Sequence, residues 1–265
     1  MKITLLADNT RSKGYGSEWG LAMALHLDSG ALWLWDTGQS GLFLRSAQAL
    51  EIDVTQAAGL ALSHGHYDHT GGLEELFEAG FQGPVFGHED IVLTRYNMGR
   101  GEPKQIGIPG LIPEFVRVHS ASRLDQGLHM LADIPRIEGN FQSVTGFFLD
   151  REGTQPDYVA DDACLVAETA KGPVLVLGCC HSGLANTLDC AAKRLGIHRF
   201  YAILGGLHLY GAPNEAREET ARAIEQCGAR FVAAGHCTGS QPLAWLQSHL
   251  RCQVTGLHTG LVLDF

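Results

Sequence analysis

Residues 62–73 read LSHGHYDHTGGL, which crowds His64, His66, Asp68 and His69 into six positions. Imidazole nitrogens and carboxylate oxygens are ligands for zinc, manganese and iron. In an extended or turning segment, alternate side chains point the same way. This spacing predicts that His64 and His66 face one point while Asp68 and His69 diverge toward a second. Two ions held side by side can share a bridging hydroxide, lower its pKa and polarise the group it attacks. A histidine-rich surface loop is the plain alternative. It leaves the apolar run before the cluster and Gly71-Gly72 after it without a purpose.

Such a cluster needs a scaffold, and the chain has enough residues for one. Its 265 residues and 45% hydrophobic content allow a sizeable core. The formal net charge of −10 argues against non-specific nucleic-acid binding, which needs a basic face. The start, MKITLLADNT, is too short an apolar run for a secretory signal. Nothing approaches the roughly 18 uninterrupted apolar residues of a membrane span. Seven cysteines without a regular framework fit a reducing compartment, so a cytoplasmic location is expected.

Strands are predicted at 3–7, 21–27, 31–35, 59–62, 84–86, 116–118, 128–130 and 147–149. A hairpin over Lys171-Gly172-Pro173 joins strands 163–168 and 174–177, and further strands lie at 200–204, 231–233 and 261–263. Helices are predicted at 40–50, 71–79, 88–96, 183–195, 214–227 and 243–250. Residues 97–115, rich in Gly and Pro, read as an excursion. With no repeat and no linker, this pattern predicts one α/β domain over 1–265, with mixed sheets and helices outside. Neither a G-x-x-x-x-G-K-[ST] loop nor a G-x-S-x-G elbow is present, which argues against P-loop and serine-hydrolase chemistry.

The histidine cluster resembles the signature loop of the metallo-β-lactamase fold superfamily. That resemblance implies a four-layer αββα sandwich with the metal site at one edge between the sheets. Asp36, in WLWDTG, then supports the metal loop from beneath. ADNT (7–10), SEWGL (17–21), WDTGQSG (35–41), LGCCHSGLANTL (177–188), LGGLHL (204–209) and GHCTG (235–239) occur in order. Together they resemble the superfamily's methanopterin-pathway branch, named after a pterin-phosphate synthase.

The resemblance implies that His64, His66 and a later histidine hold one ion, and that Asp68, His69 and His236 hold the other. Cys179 and His181 compete for the completing or bridging role. His208 and His236 both suit the last ligand. His236 is preferred, and His208 then donates a proton or binds substrate. Asp68 would orient the attacking hydroxide. Zinc is the first expectation, as two ions, with manganese or iron compatible. The superfamily's usual histidine ahead of the hairpin is missing. DYVADDACL offers Asp161 and Asp162 there, so either a carboxylate replaces it or His181 covers it.

The expected activity is hydrolysis of a small phosphoester or related ester, so the expected partner is a small molecule, phosphorylated or not. A pterin-forming synthase using the metal as Lewis acid and a non-catalytic metal-dependent binding protein are the alternatives. Asp8, Asn9 and Glu18 approach the substrate or simply cap turns. Tyr67 touches substrate or packs as a ring. Arg11 and Lys13 read as solvated loop residues, and Cys164, Cys190, Cys227 and Cys252 as small buried apolar residues.

Overall fold

The computed structural model describes residues 1–99, 102–110 and 114–265. The first half of the chain forms β1 (Lys2–Ala7), β2 (Ala22–His26), β3 (Leu32–Trp35), α1 (Leu42–Ala49), β4 (Gly59–Ala61), α2 (Tyr67–Thr70), α3 (Leu73–Glu78) and β5 (Val85–Gly87). Next come β6 (Tyr96–Asn97), β7 (Lys104–Gln105), β8 (Val116–Arg117), β9 (Ala121–Asp125), β10 (Leu128–Leu131) and β11 (Phe147–Phe148). The last part holds β12 (Cys164–Ala167), β13 (Val174–Leu177), α4 (Leu184–Leu195), β14 (Ala202–Gly205), α5 (Asn214–Gln226), β15 (Phe231–Ala234), α6 (Ser240–His249), β16 (Gln253–Gly256) and β17 (Val262–Asp264).

Two seven-stranded sheets result, ordered β17-β1-β2-β3-β4-β5-β8 and β16-β15-β14-β13-β12-β10-β9. Period-two alternation assigns each strand residue to a layer. Ile3 and Leu5 of β1 join Val174 and Val176 of β13 in the core between the sheets. Leu6 faces outward to meet Leu42, Phe43 and Ala47 of α1. Leu175 and Leu177 face the other way, toward α4, α5 and α6. Burial on both faces explains why these strands read as continuous apolar runs. Helix–sheet–sheet–helix layering is the sandwich that the resemblance implied.

The helices follow the same logic. In α5, Ala216, Thr220, Ala223 and Ile224 are buried at helical spacing. The long helix α4 stops at Gly196, whose φ of 70° suits a left-handed cap, with Lys193 and Arg194 in its last turn.

Residues 88–96 are not the expected helix. Glu89–Val92 makes one 3-10 turn, capped by His88 Nδ1 accepting from Asp90 N–H. Leu93 then leaves extended, Arg95 is drawn into a buried ion pair, and Tyr96 starts β6. The excursion carries β6 and β7, which pair with β11 as a three-stranded sheet, β11-β6-β7. Residues 100–101 and 111–113 of it lie outside the described residues. Two strands passed over in the sequence, β9 and β16, close one sheet at both edges. Cys252 is only partly covered, while Cys164, Cys190 and Cys227 are buried as expected. Among the described residues, no helix is long and apolar enough to cross a membrane.

The sheets meet tightly where parallel strands end. Trp35 Nε1 donates to Leu177 O across the interface at 3.1 Å. Gly205 has φ 124°, and a Cβ there would lie 2.3 Å from Leu177 O. Gly205→Ala should therefore destabilise the fold by about 2 kcal/mol or more. Equilibrium urea unfolding checks this, and an unchanged midpoint would contradict it.

Candidate metal centre

Parallel strands run β3–β4–β5 in one sheet and β13–β14–β15–β16 in the other. Crevices outside the carboxyl ends of such strands are where α/β sheets collect ligands. Asp36 follows β3, Ser63 to His69 follow β4, Cys179 to His181 follow β13, His208 follows β14, and His236 follows β15. Asp36, Cys180, His208 and His236 have φ of 58°, 54°, 47° and 49°. Non-glycine residues held there carry strain that the surrounding structure must hold in place.

The expected alternation ends at His66, which caps the single-turn helix α2. His69 N–H and Thr70 Oγ1 both donate to the His66 carbonyl. Asp68 and His69 are thus directed by a helical turn rather than by pleating.

Two groups of ligand atoms converge. His64 Nε2 lies 3.0 Å from His66 Nδ1, and His64, Cys179 and His181 bring ligand atoms within 4.8 Å of one another. On the other side, His69 Nε2 lies 3.1 Å from Cys179 Sγ and 3.2 Å from His236 Nε2. Asp68 Oδ2 stands 3.4 Å from the same His236 nitrogen. The Cys179 sulfur belongs to both groups. Every expected ligand is therefore in one cluster: His64, His66, Asp68, His69, His181 and His236.

The far nitrogens are held by the fold. His64 Nδ1 meets Ser63 Oγ at 2.8 Å, and His69 Nδ1 meets Asp36 Oδ2 at 2.7 Å. His181 Nδ1 meets Ser143 O at 2.6 Å, and His236 Nδ1 meets Asn9 Oδ1 at 2.9 Å. Asp36 also accepts from Ser63 N–H and Oγ, which ties it to the start of the loop. Such partners orient ligand imidazoles and fix which nitrogen faces inward.

The residues fit a metal. His181 Nε2, opposite the Nδ1 held by Ser143 O, is buried with no hydrogen-bond partner among the described residues. Burial, reinforced by neighbouring imidazoles, pushes His64 and His181 well below the ordinary histidine range. Burial likewise lowers His66 to about 3. All three are neutral, the form that ligates. Burial pushes Asp68 up, but the His236 bond and nearby imidazoles outweigh it and leave an ionised carboxylate. Burial opposes charge on His236 too, yet Asp68 and the other anionic groups raise it to about 9. Burial pushes the Cys179 thiol well up. A cation between these groups would replace the charge His236 otherwise carries and would ionise the thiol.

The family model described as metallo-beta-lactamase superfamily matches residues 22–236. The chain belongs to the metallo-β-lactamase superfamily. It is 28% identical to the 7,8-dihydropterin-6-methyl-4-(β-D-ribofuranosyl)-aminobenzene-5′-phosphate synthase of Methanocaldococcus jannaschii, covering 100% of this chain and 97% of that one. A second protein of that archaeon, itself uncharacterised, is 29% identical over 98% of this chain and 99% of its own. Among solved structures, Tm1679, described as a metal-dependent hydrolase of the β-lactamase superfamily, superposes with a TM-score of 0.84. It is 26% identical, with 100% of this chain and 99% of that one covered.

In this metallo-β-lactamase-fold protein the cluster opens into a cavity of about 330 Å³. His66, Asp68, Cys179 and His236 line its floor, and Trp19, Phe147 and Tyr210 its walls. His208 also lines it, with its ring 4.4 Å from that of His181 and its Nδ1 buried and unpaired among the described residues. His208, Cys179 and Cys237 bring ligand atoms within 4.8 Å. Cys237 escaped sequence reasoning, although its place beside His236 in GHCTG was a signal. Lys104 escaped it too, with Nζ 3.0 Å from Tyr67 Oη at the cavity wall.

Other expectations are redirected. Asn9 serves His236 rather than substrate, and Asp8 accepts from the His236 and Thr10 backbone N–H groups. Burial raises Asp8 to about 6. Glu18 accepts from Gln39 and Ser40, just before α1. Asp161 spends both oxygens on Arg95 and the Gly65 N–H, away from any ligand role. Arg11 and Lys13 do not line the cavity.

His236 is protonated below about pH 9, and burial keeps the Cys179 thiol protonated. Both must lose a proton to ligate, so apparent metal affinity should rise as pH climbs toward 9. Titrating zinc into metal-free protein near neutral pH should release about two protons per molecule. A pH-indicator assay checks this, and uptake without proton release would contradict it.

Proposed function

We propose that this chain is a metal-dependent hydrolase, binding two zinc ions, that acts on a small phosphoester or related ester. The observation that carries this reading is the Cys179 sulfur shared by two buried ligand groups at the floor of an open cavity. His64, His66 and His181 would hold one ion. Asp68, His69 and His236 would hold the other, with Cys179 between them. His/Asp/Cys donors suit zinc first, with manganese and iron compatible. When bound, such ions lower the pKa of a water and polarise the bond it attacks.

The chain's own residues do the rest. Asp68 orients the attacking water through its carboxylate. His208, in the cavity wall, donates a proton to the leaving group. Trp19 and Phe147 exclude bulk water, which strengthens every charge interaction inside. Lys104, steadied by Tyr67 Oη and 4.3 Å above that ring's centre, receives an anionic group of the substrate.

A second reading is favoured by the 28% identity, across the whole chain, to the pterin-phosphate synthase. In it the same centre acts as a Lewis acid in bond formation. The cavity and Lys104 serve either reading. Turnover of generic esters separates the two.

Elemental analysis of tag-free protein should find about two metal equivalents, falling sharply in His66→Ala. The wild type should then hydrolyse members of a panel of phosphodiesters and lactones. Pterin-phosphate turnover with no ester hydrolysis would select the second reading, and bound metal with no turnover at all would leave a binding protein. In a separate test, Lys104→Gln should raise KM for anionic substrates about tenfold, the worth of one charge-assisted hydrogen bond. KM for neutral esters should not move. Equal effects on both would remove the anion-binding role.

A further inference from the structure

The DYVADDACL segment lacks the superfamily's usual histidine, yet it is heavily engaged. Asp157, Asp161 and Asp162 are all buried, and so is Arg95, at 0% exposure. Arg95 grips Asp161 with two hydrogen bonds, Nη1 to Oδ2 at 2.9 Å and Nη2 to Oδ1 at 2.7 Å. Its Nε lies 2.8 Å from Asp157 Oδ2, and Nη2 also donates to Asp90 O. A forked, desolvated pair of this kind fixes geometry as well as charge.

Asp161 reaches further. Its Oδ2 accepts from the Gly65 N–H at 2.7 Å, and Gly65 is the residue between His64 and His66. A Cβ on Gly65 would lie 2.1 Å from Ile91 O and 2.5 Å from Arg95 Nη1. Only bare backbone lets the guanidinium and the Ile91 carbonyl close on the loop. The next residue turns the other way. Asp162 Oδ2 accepts from the Ser182 N–H at 2.7 Å, directly after His181. Ala163 N–H then donates to Ser63 O at 2.9 Å, directly before His64.

Three consecutive residues thus tie both loops of one ligand group together. The segment is itself braced by a turn at Val159, with φ 50° and its carbonyl accepting from Arg136 Nη2 at 2.8 Å. In the other ligand group, His236 has its own tie to Asn9, while Asp36 holds His69 and also meets Ser63 beside His64.

We propose that Arg95, Asp161 and Asp162 form a bracket that sets His64, His66 and His181 at metal-binding separation and governs how tightly that group holds its ion. The inference rests on the metal-centre reading above. These three are positioning residues. They act through the Gly65 and Ser182 backbone, so their signature is the affinity of one ion and not of both.

The test is zinc titration of metal-free protein in competition with a chromogenic chelator. Wild type should show two binding steps. Asp161→Asn and Asp162→Asn should each weaken one step about 10–100-fold, the usual cost of losing such a partner, and leave the other within about threefold. His181→Ala marks the affected step and Asn9→Ala the spared one, so the Asp variants should match the first marker. Arg95→Lys keeps the charge and loses the fork, so its loss should be smaller than that of Asp161→Asn. Circular dichroism and thermal melts confirm that each variant is folded. Because a lone buried charge is costly, Arg95→Met with Asp157→Asn and Asp161→Leu serves as a folded, charge-free check, since Asp157 would otherwise lose its Arg95 partner. That triple variant should also weaken only the marked step.

Equal weakening of both steps, or of neither, in folded variants would overturn the bracket while leaving the metal centre in place. A wild type that takes up no zinc would overturn the metal reading itself, and the bracket with it.

Discussion

Five imidazoles, a thiol and a carboxylate point unshared electron pairs into one buried space around the Cys179 sulfur. Such an arrangement repels itself unless protons or cations stand between the donors. In the protein alone, the proton on His236 supplies part of that charge, and the Asp68 carboxylate answers it. The rest of the structure serves to hold this unfavourable gathering in place. Strained backbone at Asp36, Cys180, His208 and His236 belongs to the same constraint.

Two sheets meet the demand because each ends its parallel strands at the same edge. The first sheet brings the β4 loop with four ligand candidates, and the second brings Cys179, His181 and His236 from β13 and β15. Contacts across the interface keep the halves in register, from the Ile3 and Val176 core to the Trp35–Leu177 hydrogen bond. Phe147 of the small third sheet closes the outer side, 5.0 Å from the His66 ring.

How much of this could be read in advance depended on distance along the chain. The HGHYDH cluster was legible because its ligands are near neighbours. The sandwich was legible because long apolar runs buried on both faces, such as Val174–Leu177, leave a plain signal. The later ligands His181 and His236 came from resemblance, since no local spacing links them to residue 64. The two-residue strands β6 and β7 escaped notice because they carry too few residues to show a period. Backbone partners such as the Ser143 carbonyl leave no side-chain trace. Arg95 and Asp161 lie 66 positions apart, and their types alone suggest solvated charges. The helical turn α2 was missed because histidine and aspartate are weak helix formers.

The central claim is that Cys179 is the common point of a two-ion centre. Anomalous diffraction at the zinc absorption edge, from crystals of tag-free protein grown with zinc, tests it most directly. The account predicts two peaks flanking the Cys179 sulfur, one against His64, His66 and His181, the other against Asp68, His69 and His236. No peak there, or a single peak out of reach of Cys179, would contradict it.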